Sequence, residues 1–242
     1  MIIGLSGYAG SGKDAVAKII QYINMKENPS NITLEEAVND KACEFIIDLQ
    51  SGWEIRKFSY LLKKMASLLT GYDVEKFEDQ EFKNSLLPPD WGLETQNPLN
   101  VITAFHDTKF IHLMTVREFL QKLGTDAIRD GLHPNAWVNA AMAGYAPRNL
   151  GWDANGSPVM VDRNWIFTDC RFPNEAQAIK DRGGYIIRID RPGIKPVNDH
   201  PSETALDNFD FDYKIFNASD LISLKQSVSI VMEMIKRKRY EE

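Results

Sequence analysis

Cysteine is almost absent: there are two, Cys43 and Cys170, in 242 residues. They are too few and too unpatterned for a disulfide framework or a zinc site, and both read as reduced thiols. The four histidines, His106, His112, His133 and His200, show no metal-ligand spacing. No apolar run approaches the ~20 residues of a membrane span, and glycines and Lys13 interrupt the N-terminal stretch before it can resemble a signal peptide. These absences predict a cytosolic protein with no membrane partner. Cations are outnumbered, 28 Lys and Arg against 34 Asp and Glu. The resulting charge of −6 argues against a general nucleic-acid binder while allowing a local basic funnel for a small anion. Internal repeats and low-complexity tracts are also missing. With 43% hydrophobic residues, the chain can bury one substantial core, which makes one large domain over 1–242 the default expectation.

What is present begins with a glycine run, Gly7-Tyr8-Ala9-Gly10-Ser11-Gly12-Lys13-Asp14. It follows apolar Met1 to Ser6 and precedes a helix-like stretch, so free N–H groups and the positive end of a helix dipole would face a phosphate. Gly7, Gly10 and Gly12 open backbone conformations that let consecutive N–H groups wrap around oxygens. Lys13 would add a point charge at the β- and γ-phosphates. Only the last residue departs from a phosphate-binding loop, with Asp14 where Ser or Thr normally offers a hydroxyl to magnesium. The alternative is a ligand-free glycine turn between a strand and a helix.

Apolar spacing predicts a helix over 13–24, a second from the Thr33/Glu36 capping box to about Leu49, a strand over 53–58 and a helix over 59–69. Residues 72–112, with Pro88-Pro89 and Asn97-Pro98, read as an irregular excursion on the acceptor side. Thr115 and Glu118 should cap a helix over about 116–130, and Pro134 should start another to about Tyr145. Residues 146–163 read as a loop or hairpin able to act as a lid, bracketed by Arg148 and Arg163. Strands follow at 164–168, 185–190 and 212–216, with helices after Pro173 and over 221–239. The alternation predicts a three-layer α/β/α fold with a five-stranded parallel sheet and a phosphate loop, its ligands at the carboxyl ends of the strands. The residues that follow strands, Gly7 to Asp14, Ser59, Asp169 to Arg171, Arg191 and Asn217, should line that edge.

Asp169-Cys170-Arg171-Phe172-Pro173-Asn174-Glu175 is the second dense cluster. A carboxylate at a strand end beside a phosphate loop suits magnesium or its water shell, and Arg171 suits a phosphate clamp. The same residues can also be read as a cap on the following helix with Arg171 paired to Glu175. Water-activating ATPases commonly carry a second acid directly after that Asp; Cys170 in its place favours transfer to a bound acceptor. Arg117, Arg129, Arg148, Arg163, Arg171, Arg188 and Arg191 are candidates to neutralise phosphate charge, with Arg188 read as structural because it sits mid-strand. His200 beside Glu203 is the one histidine of interest.

Leu5-Ser6-Gly7…Gly12-Lys13-Asp14, Thr115-Val116-Arg117…Leu123-Gly124-Thr125-Asp126, Trp137-Val138 and Thr168-Asp169-Cys170-Arg171-Phe172-Pro173-Asn174-Glu175 together resemble the deoxynucleoside monophosphate kinases of tailed phages and prophages. The resemblance continues through Gly183-Gly184, Arg191-Pro192-Gly193, His200-Pro201-Ser202-Glu203 and Ile215-Phe216-Asn217. It implies an adenylate-kinase-like fold and transfer of the ATP γ-phosphoryl group to a deoxynucleoside monophosphate, with Mg2+ as cofactor. It further implies that Gly10, Ser11, Gly12, Lys13, Asp14 and Ala15 serve ATP, that Asp14 and Asp169 organise the metal, and that Lys13, Asp169, Arg171 and Arg117 are catalytic. Ser59, Arg117, Gly124, Thr125, Trp137, Asp169, Arg171 and Glu175 would surround the acceptor. Gly124-Thr125 also reads as the end of a helical turn, and Trp137 also reads as core. Two features depart from the family: no basic residue stands at Glu78-Asp79-Gln80-Glu81, where Lys83 or Arg56 would substitute, and 26–50 looks inserted. Rival readings are dephospho-coenzyme A or phosphomevalonate kinase, and a non-catalytic ATP-binding module. A homodimer is left open.

Overall fold

Three runs with little polar alternation, Ile2–Ser6, Asn164–Phe167 and Tyr185–Asp190, form the middle of one sheet, as parallel strands covered on both faces do. The computed structural model describes residues 1–95, 103–106, 109–153, 155–161, 163–196 and 200–241. Two compact units emerge from its packing, Met1–Phe58 with Met142–Glu242, and Ser59–Ala141.

The first unit opens with β1 (Ile2–Ser6), α1 (Lys13–Ile23), α2 (Leu34–Asn39), α3 (Glu44–Ser51) and β2 (Trp53–Arg56). The second holds α4 (Tyr60–Thr70), α5 (Gln80–Asn84), β3 (Leu93–Thr95), β4 (Thr103–His106), β5 (Lys109–His112), α6 (Val116–Gln121), a π-helical stretch Lys122–Asp130, and nearly all of α7 (Ala136–Met142). The first unit then resumes with β6 (Arg148–Trp152), β7 (Pro158–Val161), β8 (Asn164–Phe167), α8 (Pro173–Lys180), β9 (Tyr185–Asp190), α9 (Pro201–Thr204), β10 (Tyr213–Phe216) and α10 (Leu221–Glu241).

The main sheet has the order β10-β9-β1-β8-β2, with every neighbouring pair parallel. This is the expected five-stranded α/β architecture. Alternation along β1 decides which helices cover which face. Ile3 and Leu5 are buried in one cluster with Val16, Ile19 and Ile20 of α1 and Leu224, Val228, Met232 and Ile235 of α10. Gly4 points the other way, where a Cβ would lie 2.7 Å from Ile179 Cδ1 of α8. Burying a Leu, Ile or Val side chain stabilises by about 1.5–3 kcal/mol, so these two helical layers carry much of the unit's stability.

Three segments differ from expectation. The predicted helix over 34–49 keeps its Thr33/Glu36 capping box but breaks at Asp40, whose side chain accepts from Ala42 N (2.8 Å) and starts a 3₁₀ turn, Lys41–Cys43. A short Asx side chain competing for backbone N–H groups explains the break. The excursion is more regular than expected, because β3, β5 and β4 form a three-stranded antiparallel sheet. Its Asn97-Pro98 lies outside the described residues. Residues 148–161 form an antiparallel hairpin whose turn is held by Asp153 Oδ1, which accepts from Asn155 N and Ser157 N, both at 2.8 Å.

Candidate active site

The glycine loop leaves β1 with Gly7 at φ 146°, and Gly12 caps α1 at φ 100°. At Gly7 an added Cβ would run into the carbonyl oxygen of Ile189, so neither the conformation nor the space suits another residue. Lys13 curls back over the loop, its Nζ donating to Gly7 O and Tyr8 O, each at 2.7 Å. Asp14 projects into solvent from the first turn of α1, with Lys57 Nζ 3.9 Å away. Residues after the neighbouring strands brace the loop from behind. Asn217 Nδ2 donates to Ser11 O (2.9 Å), Arg191 Nη1 to Gly10 O (3.3 Å), and Tyr8 OH to Asp207 Oδ1 (2.9 Å). Arg188 is buried mid-strand, reaching Asp190 at 3.1 Å and Asp207 at 3.4 Å and stacking over the Tyr8 ring, the structural role its position suggested.

Beyond β8, Asp169 Oδ1 accepts from Phe58 N (2.8 Å). Glu175 is buried in the first turn of α8, where its Oε2 accepts from Arg171 N (2.8 Å) and Phe172 N (3.1 Å), with Pro173 at the start of the helix. The helix cap read from this cluster is therefore present, but Glu175 supplies it and not Asp169. Nor does the Arg171 side chain pair with Glu175. Its Nη1 meets Glu203 Oε1 at 2.5 Å and Ser202 O at 3.4 Å. Cys170 is fully buried beside Asp169 and Glu175, which pushes its thiol well above its ordinary pKa and keeps it protonated. Burial, and next the Arg171 guanidinium, bring the Lys13 ammonium down to about 8, against the opposing pull of Asp14, Glu203 and Asp169. One charged cluster thus joins the loop, the end of β8 and α9.

In the second unit the helix capped by Thr115 changes pitch after Gln121. Glu118 N donates to Thr115 Oγ1 (3.1 Å), but the Glu118 carboxylate turns to His112 Nε2 (2.6 Å) and does not close the box. Arg117 donates to Asn84 Oδ1 (3.2 Å) and Gln80 Oε1 (3.0 Å). Gly124 is buried in the π-helical stretch, where its carbonyl accepts from Trp137 Nε1 (2.8 Å) and Leu62 Cδ2 would stand 2.9 Å from a Cβ. Trp137 itself is only 7% exposed. A cleft of about 560 Å³ opens beside the same stretch, lined by Trp91, Met114, Phe119 and Leu123 with Lys122 and Asp126 at its edge.

Residues 1–228 match the family described as deoxynucleotide monophosphate kinase. The chain belongs to the deoxynucleotide monophosphate kinase family. It is therefore an enzyme, a nucleotide kinase that phosphorylates deoxynucleoside monophosphates. Curated relatives agree. A deoxynucleoside-5'-monophosphate kinase of Escherichia phage T5 is 23% identical over 92% of this chain and 92% of its own length. A protein of Acanthamoeba polyphaga mimivirus, whose name places it provisionally in the same family, is 40% identical over 38% of this chain and 47% of its own length. The deoxynucleotide monophosphate kinase of Enterobacteria phage T4 is 28% identical over 50% of this chain. The chain thus spans about half the length of the mimivirus and T4 relatives and nearly all of the T5 one.

Within this kinase, the expected donor residues Gly10 to Ala15 and the expected strand-end residues Asp169 and Arg171 come together in the first unit. Arg117, Gly124, Thr125 and Trp137 lie in the second, where Gly124 and Trp137 are joined by a hydrogen bond. Ser59 precedes α4, and no side-chain cap bond is made from it. Arg56 stacks on Trp165 and pairs with Glu54, Lys83 donates to Glu78 O, and Lys63 Nζ donates to the Glu78 carboxylate (2.7 Å). Arg163 stacks over Trp165, and its carbonyl accepts from the Met1 ammonium. That puts Arg163 at the amino-terminal edge of the sheet, away from the phosphate loop, so it is not among the charges that meet there; the Arg148 side chain lies outside what is described. Glu203 was overlooked as a member of the cluster. Its only signal in the sequence was its place beside His200, whose Nδ1 accepts from Ser202 N (3.2 Å) at the start of α9.

Proposed function

We propose that the kinase moves the γ-phosphoryl group of ATP to the phosphate of a deoxynucleoside monophosphate, using the loop edge of the first unit for the donor. The new P–O bond forms at an acceptor phosphate oxygen, and the bond to the β-phosphate oxygen breaks to release ADP. The observation that carries this reading is the convergence of Lys13, Asp169 and Arg171 in one charged cluster beside a glycine loop. Amides of Gly10 to Ala15 hold the donor phosphates. Lys13 trades its carbonyl partners for phosphate oxygens, and Arg171 neutralises the acceptor phosphate.

Mg2+ fits the donor set, because Asp14 and Asp169 are hard oxygen ligands of the kind that hold this ion together with substrate phosphates and water. Among the described residues no group of three or more His, Cys, Asp or Glu gathers for a metal, as suits an ion carried in on a nucleotide. Bound there, the ion would offset charge on the transferred phosphoryl group. Arg117, Gly124, Thr125 and Trp137 serve acceptor binding, Trp137 by fixing the Gly124 carbonyl, and Ser59 and Glu175 support it. The chain works as one kinase domain in the host-cell cytoplasm, on small molecules and not on nucleic acid; no helix among the described residues is long and apolar enough to cross a membrane.

Incubation with ATP, Mg2+ and a panel of nucleoside monophosphates, dephospho-coenzyme A and phosphomevalonate tests this reading directly. A deoxynucleoside diphosphate is the expected product. Phosphorylation of only a non-nucleotide acceptor, or of none, would overturn it.

A further inference from the structure

Arg171 and Lys13 are two cations in one charged cluster, with Glu203 beside them. Such a pair needs a nearby anion even before substrate arrives. Glu203 is that anion on the Arg171 side, with a carboxyl only 6% exposed and an oxygen 2.5 Å from Nη1. Its position is fixed independently of Arg171. His200 caps α9 through Ser202 N, and Leu206, three residues on, is buried at 3% exposure. Asp207, one residue further, holds Tyr8 of the phosphate loop at 2.9 Å. The segment 200–207 is thus tied to the loop at one end and to Arg171 at the other.

From this we infer that Glu203 is a positioning residue for phosphoryl transfer: it holds the guanidinium of Arg171 by Nη1 so that the Nε–Nη2 edge faces the acceptor phosphate. The inference rests on the proposed role of Arg171. Among the described contacts Arg171 engages Glu203 and Ser202 O through Nη1 alone, which leaves two parallel N–H groups for a bidentate grip. Ser202 O adds a second point that fixes the plane of the fork.

A double-mutant cycle with steady-state kinetics tests this, with circular dichroism melting to confirm folding. Glu203→Ala should cut kcat/KM for the deoxynucleoside monophosphate by roughly 10- to 100-fold, the usual cost of removing a group that orients an active side chain. KM for ATP should move far less. Glu203→Gln, which retains an oxygen for Nη1 but not the charge, should recover part of the loss, and Glu203→Asp should recover part by charge. In an Arg171→Ala background the Glu203→Ala penalty should nearly vanish. Additive penalties, equal loss in the KM for both substrates, or unchanged kinetics of Glu203→Ala would remove the role of Glu203 and leave that of Arg171 standing. Wild-type-like turnover by Arg171→Ala, or no turnover of any deoxynucleoside monophosphate by the unaltered chain, would overturn the underlying reading as well.

Discussion

The glycine loop of the first unit and the π-helical stretch of the second both depend on glycine, for different reasons. Gly12 stands at φ 100°, and an added Cβ would collide with the amide nitrogen of Asn217. Its requirement is conformational as well as steric. Gly124, in the π-helical stretch, is not among the positive-φ glycines, and what would meet a Cβ there is Leu62 Cδ2, the movable tip of a side chain. The first region is a rigid cradle braced by Asn217, Arg191 and Tyr8 through main-chain and side-chain hydrogen bonds. The second is a packed helical segment held by one buried hydrogen bond from Trp137. Regions of the first kind tolerate almost no change at their glycines; regions of the second kind can repack.

Substitutions graded across the two regions break or sharpen that contrast. Lys13→Ala should have the largest effect, lowering kcat by about 10³-fold under the proposed role of Lys13 on the donor phosphates, without shifting the melting temperature downwards, since it relieves a buried charge. Activity near the wild-type level would mean that the loop does not hold the donor. The pH dependence of the unaltered enzyme belongs to the same residue. Because Lys13 titrates at about 8, well below an ordinary lysine, kcat/KM for ATP should fall as pH rises through about 8. The sign for stability is opposite: a lysine whose pKa is lowered on folding costs stability while it is protonated, and that cost is relieved as pH rises from about 8 towards the unfolded value. Lys13→Arg should abolish the alkaline fall in kcat/KM; its persistence would assign the titration to another group.

Gly12→Ala comes next, with about 1–2 kcal/mol of backbone strain and a displaced Asn217, read as a raised KM for ATP and a lower melting temperature. In the second unit, Trp137→Phe keeps an aromatic ring but leaves the Gly124 carbonyl without its indole donor, which should cost about 1–3 kcal/mol in chemical denaturation. If Trp137 acts on the acceptor through Gly124, KM for the deoxynucleoside monophosphate rises as well, and KM for ATP does not. Gly124→Ala should have the smallest effect, within about 1 kcal/mol, because better helix propensity offsets the shift of Leu62. A penalty at Gly124 as large as that at Gly12 would dissolve the distinction between the two regions.

The candidate site was legible in the sequence where its residues lie close together along the chain. The loop glycines, Lys13 and the Asp169–Glu175 run are local patterns, and Pro173 and the Thr33/Glu36 box marked helix starts that the structure contains. The three central strands were equally legible, because strands buried on both faces have to be apolar throughout, and edge strand β2 showed itself by alternating apolar and charged residues. Contacts over long sequence separations were not. Nothing in the runs around Arg171 and Glu203 assigns one to the other across 32 residues, and nothing in the run assigned the helix cap to Glu175. The β3–β5–β4 sheet escaped because its strands are three or four residues long and show little period. The change of helical pitch at Lys122 left no trace, since apolar spacing over so short a stretch fits either helix.

Taken alone, the sequence determined that a strand would lead through a glycine loop into a helix, and that apolar strands would line up in parallel beneath helices. Those properties follow from backbone freedom and burial, which each residue carries with it. Tertiary structure alone decided which charges share the loop edge: that Arg171 answers to Glu203, that Lys13 is buried close enough to Arg171 to lose basicity, and that Asp207 and Asn217 hold the loop from behind. Electrostatic partnership depends on distance and burial, and neither exists until the chain has folded.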